Sequence, residues 1–494
     1  MSKDNTTLAA FAEEHLSLGQ AVLRIIADYA SSIGDVPVTS PATVSDLVAL
    51  FDEPLPQEGV ARSEVLRQFR EDVLPNGMQI PSPHYFGLFN PTPLPIAVWA
   101  DALASAINQN GAVWRNSSAA NVIEAQVIKW LCTLLGYDDR AFGTLTSGGS
   151  EANLVALKCA RDRIHAKIRD EGLKSAGHDL VFYASEQCHY SFVKSVDILG
   201  LGRHSLRKIP TDARFHIRLD LLREEIDRDR EKGFLVCGIA GAAGATSTGI
   251  VDPLNDLADI ARDVNCWFHV DAAYGGALAF SDKHRWKLKG IERADSITLD
   301  PHKWMFVPFA CGAVLVRDGG AVLRKSFDIT PEYLSEDRGG ADVEFDFFRY
   351  GQLGTTRFNA LKLWMALKTL GVKGYERIID RQVGLTEYLA SRIDVLENFE
   401  RVGEVETAVC CFRFLPDSAK AAPPEMQDAL QQALQQRIEK SGRAWCATTV
   451  LHGRRAIRVN INSFLTEALH IDALIQLLQE QSRNLIQEGY IYDK

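Results

Sequence analysis

Between residues 143 and 316, short apolar runs alternate with stretches whose apolar positions recur at helical spacing. The runs at 143–146, 180–184, 234–238, 267–270, 296–299 and 312–316 have the length and apolar content of buried strands. The stretches 151–169, 191–199, 219–230 and 253–264 read as helices between them. Strand–helix–strand repetition predicts an α/β fold with a mainly parallel sheet flanked by helices on both faces. In such sheets ligands sit at the carboxyl ends of the strands, on the loops that follow.

The two ends of the chain carry other patterns. Over 5–33, Leu8, Phe11, Leu16, Ala21, Val22, Ile25, Ile26 and Tyr29 predict an amphipathic helix. It has no partner near it in sequence, so it must pack on a distant element or on a second subunit. Residues 34–95 hold ten of the 18 prolines, which permit only short helices such as 44–50 and 62–73. This reads as a wrapping segment. Long helix is predicted over 359–370 and again from 375, with a break at Gly371 and Gly374. Strands at 399–402, 409–414 and 456–460 then mix with helices at 425–441 and 471–487. The expected division is a segment 1–95, a large domain 96–375 and a small C-terminal αβ domain 376–494.

Composition narrows the classes. A chain of 494 residues, 46% hydrophobic and 24% charged, is long enough for two or three globular domains. Its net charge of -10, with no Lys- or Arg-rich run, argues against nucleic acid as a partner. No apolar run is long enough to span a membrane, and the N-terminus lacks the pattern of a secretory leader. Nine cysteines without a CxxC suit reduced thiols in the cytoplasm, with neither disulfides nor a metal site.

The candidate chemistry lies where the predicted strands end. The stretch 296–316 reads as two buried strands around a corner that holds His302 and Lys303. A lysine there either marks an exposed loop tip or is pushed towards its neutral, nucleophilic form. Gly148, Gly149 and Ser150 precede a helix, and so make either a cap or an anion cradle. His189 opens the next helix, as a structural hydrogen bonder or as a cover for a flat ring. Small residues at 241–249 permit close approach of something planar, or form a plain loop. Asp271 directly follows a buried strand, where a carboxylate is costly unless it meets a cation. The aromatic stretch 84–92 is either a packing loop or a pocket wall. An anion cradle, a ring cover, a carboxylate and a lysine together match one ligand, pyridoxal 5'-phosphate.

The segments His-Val-Asp-Ala-Ala-Tyr at 269–274 and Asp-Pro-His-Lys-Trp at 300–304 resemble the paired signature of the group II pyridoxal-phosphate decarboxylases. That family includes aromatic-L-amino-acid, tyrosine, histidine, glutamate and diaminobutyrate decarboxylases, and the resemblance runs from about Pro83 to Asn462. It implies the aspartate-aminotransferase type of fold (fold type I) and a homodimer whose N-terminal segment clasps the other subunit. It implies decarboxylation of an L-amino acid, aromatic or related, to the amine and CO2. By the resemblance Lys303 forms the Schiff base with the cofactor, and Asp271 pairs with the pyridine nitrogen, with Ala273 beside it. His189 stacks on the ring and acts on the substrate. Gly148, Gly149 and Ser150 hold the phosphate, with Thr246 and His302 near it. The stretch 326–340 resembles the family's mobile catalytic loop, in which Tyr333 returns a proton to the substrate carbon after CO2 leaves. Relatives with phenylalanine at that place make aldehydes. Phe89 is a substrate contact. Arg458 matches an arginine that binds a substrate carboxylate in some members. The chain departs from the aromatic members at Leu88 and Ala112 and adds Arg115. An acidic or diamino substrate, and an aldehyde synthase or aminotransferase on the same fold, therefore stay open.

Overall fold

The computed structural model describes residues 4–329 and 346–489. The expected strands form, joined by three that the sequence pattern did not show. In chain order they are β1 (Tyr85–Phe86), β2 (Phe142–Thr146), β3 (Leu180–Ser185), β4 (Leu206–Ile209), β5 (Leu235–Ala242) and β6 (Trp267–Asp271). Then follow β7 (Ser296–Leu299), β8 (Gly312–Val316), β9 (Phe399–Val402), β10 (Val409–Phe414), β11 (Trp445–Leu451) and β12 (Arg454–Asn460).

Seven strands make the central sheet, in the order β2-β8-β7-β6-β5-β3-β4. Strands β3 to β7 run parallel, and β8 is antiparallel to both its neighbours, β7 and β2. Every residue of β3, β7 and β8 is buried, as a strand covered on both faces requires. The helix Gly149–Ile164 packs across β8, β7 and β5. The sheet is therefore mainly parallel and helix-covered, as predicted.

The run expected as a loop from 241 starts instead inside β5. Gly241 lies under the helix Leu254–Asp263, where a Cβ would stand 2.8 Å from Leu257 Cδ1. Smallness at that position serves helix-on-sheet packing. The predicted helix 151–169 ends at Ile164, and a short turn of helix, Ile168–Glu171, follows it.

A second sheet has the order β1-β11-β12-β10-β9. Its edge strand β1 comes from the proline-rich segment and pairs parallel to β11, Tyr85 with Trp445 and Phe86 with Cys446. Gly87 then passes beneath Trp445, whose ring would be 1.5 Å from any Cβ there. The helix Ala360–Asp394 joins the two parts and breaks at Gly371, which has φ 60°. The N-terminal helix Asp4–Ser32 leaves Leu8, Phe11 and Leu16 each at least 60% exposed. All nine cysteines are free, and eight are buried. Among the described residues no helix is long and apolar enough to cross a membrane.

Candidate active site

Loops at the carboxyl ends of β2, β3, β5, β6 and β7 converge on a cavity of about 310 Å³. Gly148, Gly149, Ser150, His189, Thr246, Asp271, Ala273, His302, Lys303 and Phe89 all line it. Arg458 stands one layer behind, and Tyr333 lies outside the described residues.

The helix that starts at Gly149 points its uncapped end at the cavity; no side chain caps it at Gly148. An uncapped helix start is an anion site, because its first N–H groups have no intrahelical partner and the dipole favours negative charge. The glycines are there for space. A Cβ on Gly149 would stand 2.8 Å from Asp300 Oδ2, and one on Gly148 3.2 Å from His302 Cε1. Ser150 and Thr246 are exposed at the rim, while Ala273 is buried in the floor.

Lys303 does not stand alone. Its Nζ lies 2.9 Å from Asp300 Oδ2, on a side chain that is only 2% exposed. Asp300 Oδ1 is buried with no hydrogen-bond partner among the described residues. The sequence places Asp300 three residues before the lysine, and the turn after β7 folds them together. His302 has Nδ1 2.8 Å from Cys311 O and Nε2 3.7 Å from Asp300 Oδ2. Burial pushes its pKa down, as it does for His189.

Asp271, the last residue of β6, accepts from Ala273 N at 3.1 Å and from Asn153 Nδ2 at 3.0 Å. Asn153 ends a chain of buried polar groups whose proton directions follow from their chemistry. Trp267 Nε1 only donates, and Ser296 Oγ accepts from it at 2.8 Å. Ser296 then gives its proton to His269 Nδ1 at 2.8 Å, and His269 Nε2 donates to Asn153 Oδ1 at 3.0 Å. Burial pushes His269 down to about 4, so the ring is neutral, with one nitrogen to accept and one to donate. Asn153 Nδ2 also donates to Ser191 Oγ at 3.0 Å, and that hydroxyl is 2.8 Å from His189 Nδ1. One asparagine thus orients both Asp271 and the support of His189. Sequence reasoning missed Asn153 and the pairing of Asp300.

The aromatic wall is a stack. The Phe89 ring lies 3.7 Å from that of Tyr274, which lies 4.7 Å from Trp304. Tyr274 Oη accepts from Asn460 Nδ2 at 2.7 Å. Arg458 sits 4.6 Å from the Phe89 ring and donates Nη1 to Gly87 O at 2.7 Å. Its Nε and Nη2 are buried without partners among the described residues, and burial lowers its pKa.

A lysine on the turn that leads into the single antiparallel strand β8, at the edge of five parallel ones, is the arrangement of the pyridoxal-phosphate enzymes of fold type I. The pattern described as "Pyridoxal-dependent decarboxylase conserved domain" matches residues 45–415, and the chain belongs to that family. It is 33% identical over 474 residues to an aromatic-L-amino-acid decarboxylase of Bacillus atrophaeus, covering 95% of this chain and 96% of that protein. It resembles the crystal structure of mouse CSAD with TM-score 0.89 and 29% identity, covering 94% of this chain and 98% of that one. Oryza sativa TDC, solved with PLP and tryptamine, gives TM-score 0.88 and 29% identity, with 96% and 98% covered. The protein is a pyridoxal-phosphate-dependent amino-acid decarboxylase.

Proposed function

We propose that the protein removes CO2 from an L-amino acid with an aromatic side chain, in the cavity that Lys303 and Asp271 line. The observation that carries the aromatic reading is the Phe89–Tyr274–Trp304 stack beside Lys303, an apolar face against which a flat side chain packs with little loss. The decarboxylases of Bacillus atrophaeus and rice named above support it.

The residues present fit the cofactor. An uncapped helix start with glycines that admit close approach suits a phosphate, and a carboxylate held by two donors suits a protonated ring nitrogen. When bound, pyridoxal 5'-phosphate supplies an aldehyde for an amine and an electron-withdrawing ring. Gly148, Gly149 and Ser150 would hold its phosphate, with Thr246 and His302 near by. Asp271 would keep the ring nitrogen protonated, and Ala273 leaves room beneath it. Lys303 offers the amine, and Asp300 orients Nζ. His189 would cover the ring and contact the substrate. Phe89 would form the wall for the substrate side chain. Tyr333 would supply a proton to the substrate carbon.

We infer a homodimer in the cytoplasm. The exposed Leu8, Phe11 and Leu16 give the N-terminal helix an apolar face that a second copy would cover. On this reading 1–95 clasps the partner, 96–375 binds the cofactor and 376–494 is the small domain. A solution mass of one chain would refute the dimer.

A second reading, an acidic substrate, rests on Arg458, which has two nitrogens without a partner among the described residues and lies 4.6 Å from the Phe89 ring; a diamino substrate rests on the likeness of 108–109 and 356–364 to diaminobutyrate decarboxylases. The test is CO2 release from each standard amino acid plus diaminobutyrate, ornithine and DOPA. Release from tryptophan, tyrosine or DOPA is expected. Release from glutamate or aspartate alone overturns the aromatic reading. Amine as sole organic product excludes the aldehyde synthase and aminotransferase readings.

A further inference from the structure

The turn after β5 that brings Thr246 to the cavity is pinned by groups that do not line the cavity. The turn closes on itself through Gly244 N and Ala245 N, each 2.9 Å from Ile250 O, and through Gly249 N, 2.7 Å from Ala245 O. Asp252 fastens its base, accepting from Ala242 N at 2.8 Å and Ile217 N at 3.0 Å. The segment leading into β10 fastens its far side. Thr407 Oγ1 donates to Gly249 O at 2.9 Å, and Glu406 Oε2 accepts from Val251 N at 2.6 Å. Gly249 has φ +75°, and a Cβ there would stand 2.3 Å from Thr407 Oγ1, so the two segments meet backbone to side chain.

Glu406 is itself held. His216 Nε2 lies 2.9 Å from Glu406 Oε1, and Lys287 Nζ donates to Glu406 O at 2.7 Å. Facing His216 are Asp212 on its own turn, with Oδ2 3.8 Å from Nδ1, Asp252 at the base of the β5 turn, and Glu406 ahead of β10. Lys287 and Glu404 line the same cleft, where Arg218 and Asp220 pair with each other. The cleft lies outside the cavity, and neither His216 nor Glu406 lines the cavity.

We propose that Glu406 and His216 are positioning residues for the cofactor: they fix the turn that carries Thr246, so cofactor retention depends on them although neither touches it. A site competent in only a fraction of molecules binds more weakly by that fraction. Releasing the turn at Val251 lowers the competent fraction. The bond to Glu406 holds His216 above its ordinary value of 6.5. The charged form of the clamp is therefore complete below about pH 6.5 and lost as pH rises through the raised value.

The inference rests on the cavity's being the cofactor site, and the experiment separates the two. Apoenzyme is titrated with pyridoxal 5'-phosphate, and binding is read from quenching of protein fluorescence. Glu406→Ala is expected to weaken binding about tenfold, and Glu406→Gln, which keeps an acceptor for Val251 N, by less than about threefold. The advantage of wild type over His216→Gln is expected to be largest at pH 6 and to shrink towards pH 9. Asp271→Ala is the control. If it leaves affinity unchanged, the cavity reading fails. If it weakens binding while Glu406→Ala does not, the positioning role alone is overturned. Should Glu406→Ala not fold, His216→Ala takes its place, and a wild-type-to-variant affinity ratio of one from pH 6 to 9 overturns the proposal.

Discussion

Lys303 Nζ lies 2.9 Å from Asp300 Oδ2, joining a lysine with one-fifth exposure to a carboxylate that is almost wholly buried. A buried carboxylate stripped of its cation is costly, whereas removing both partners leaves little behind. Lys303→Met apoprotein is therefore expected to lose about 3 kcal/mol of stability. The double variant Lys303→Met/Asp300→Asn should recover at least half of it. Urea denaturation of the four proteins in the cycle measures the coupling. Strict additivity would show that the two side chains do not act as a pair.

Asn153 makes a second prediction. Its removal leaves Asp271 Oδ2, His269 Nε2 and Thr298 Oγ1 each short of a partner, since Thr298 donates to Asn153 Oδ1 at 2.7 Å. Each orphaned buried group costs about 1–3 kcal/mol. Asn153→Ala is expected to lower the melting temperature and to weaken cofactor binding about tenfold, as a loss of about 1.4 kcal/mol at Asp271 implies. Asn153→Asp sets a second carboxylate against Asp271 and should weaken it further. Equal affinity in the two variants would count against charge at Asp271 as the deciding factor.

What the sequence showed of this protein, and what it hid, follows burial. Strand β8 was legible because it is wholly buried and apolar throughout, and β7 because Ile297 and Leu299 alternate with the small Ser296 and Thr298 in a run that is also wholly buried. Strand β4 was not, because it lies at the sheet edge and puts Arg207 and Lys208 at its centre, as exposed edges tend to. Strand β1 has two residues, too few for any period. In the site, Lys303, Asp271 and Gly149 were legible because strand ends mark them. Asn153 was not: an asparagine one turn into a helix looks like any surface polar residue until the fold buries it to 1% exposure. Arg458 was marked only by the family resemblance; nothing in the pattern of β12 shows that the fold buries it 4.6 Å from the Phe89 ring.

Glu124 predicts a loss of stability as pH rises from about 4.5 to about 8. It is buried in the helix Trp114–Leu134 and accepts from Leu145 N at 3.1 Å, and burial raises its pKa to about 8. The folded state thus holds this proton between the ordinary value of 4.5 and about 8, while the unfolded chain has released it. Where the native state binds more protons, stability falls as pH rises. Glu124→Gln keeps the acceptor and removes the titration. It is expected to be more stable than wild type by roughly 4 kcal/mol at pH 8 and no different at pH 4. Denaturant midpoints at the two pH values test this, and an equal gain at both would locate the effect in packing.

Arg458 decides between the two substrate readings. Its guanidinium is buried 4.6 Å from the Phe89 ring and bonded through Nη1 to Gly87 O, and Nε and Nη2 have no partner among the described residues. Arg458 has no counter-charge among the described residues, and an apolar chain of similar length often replaces a buried charged group at no loss. Arg458→Met is expected to change stability by less than about 1.5 kcal/mol, the worth of the one bond to Gly87. If the substrate is aromatic, its side chain meets Phe89 and not the guanidinium, so KM for that substrate should rise by less than about threefold. If the substrate carries an acidic group, that group pairs with the unpartnered Nε and Nη2. The variant then forfeits a charge-assisted contact of about 2–3 kcal/mol, which is a loss in kcat/KM of about thirtyfold or more. Steady-state kinetics of wild type and Arg458→Met, on whichever amino acid releases CO2, separates the two.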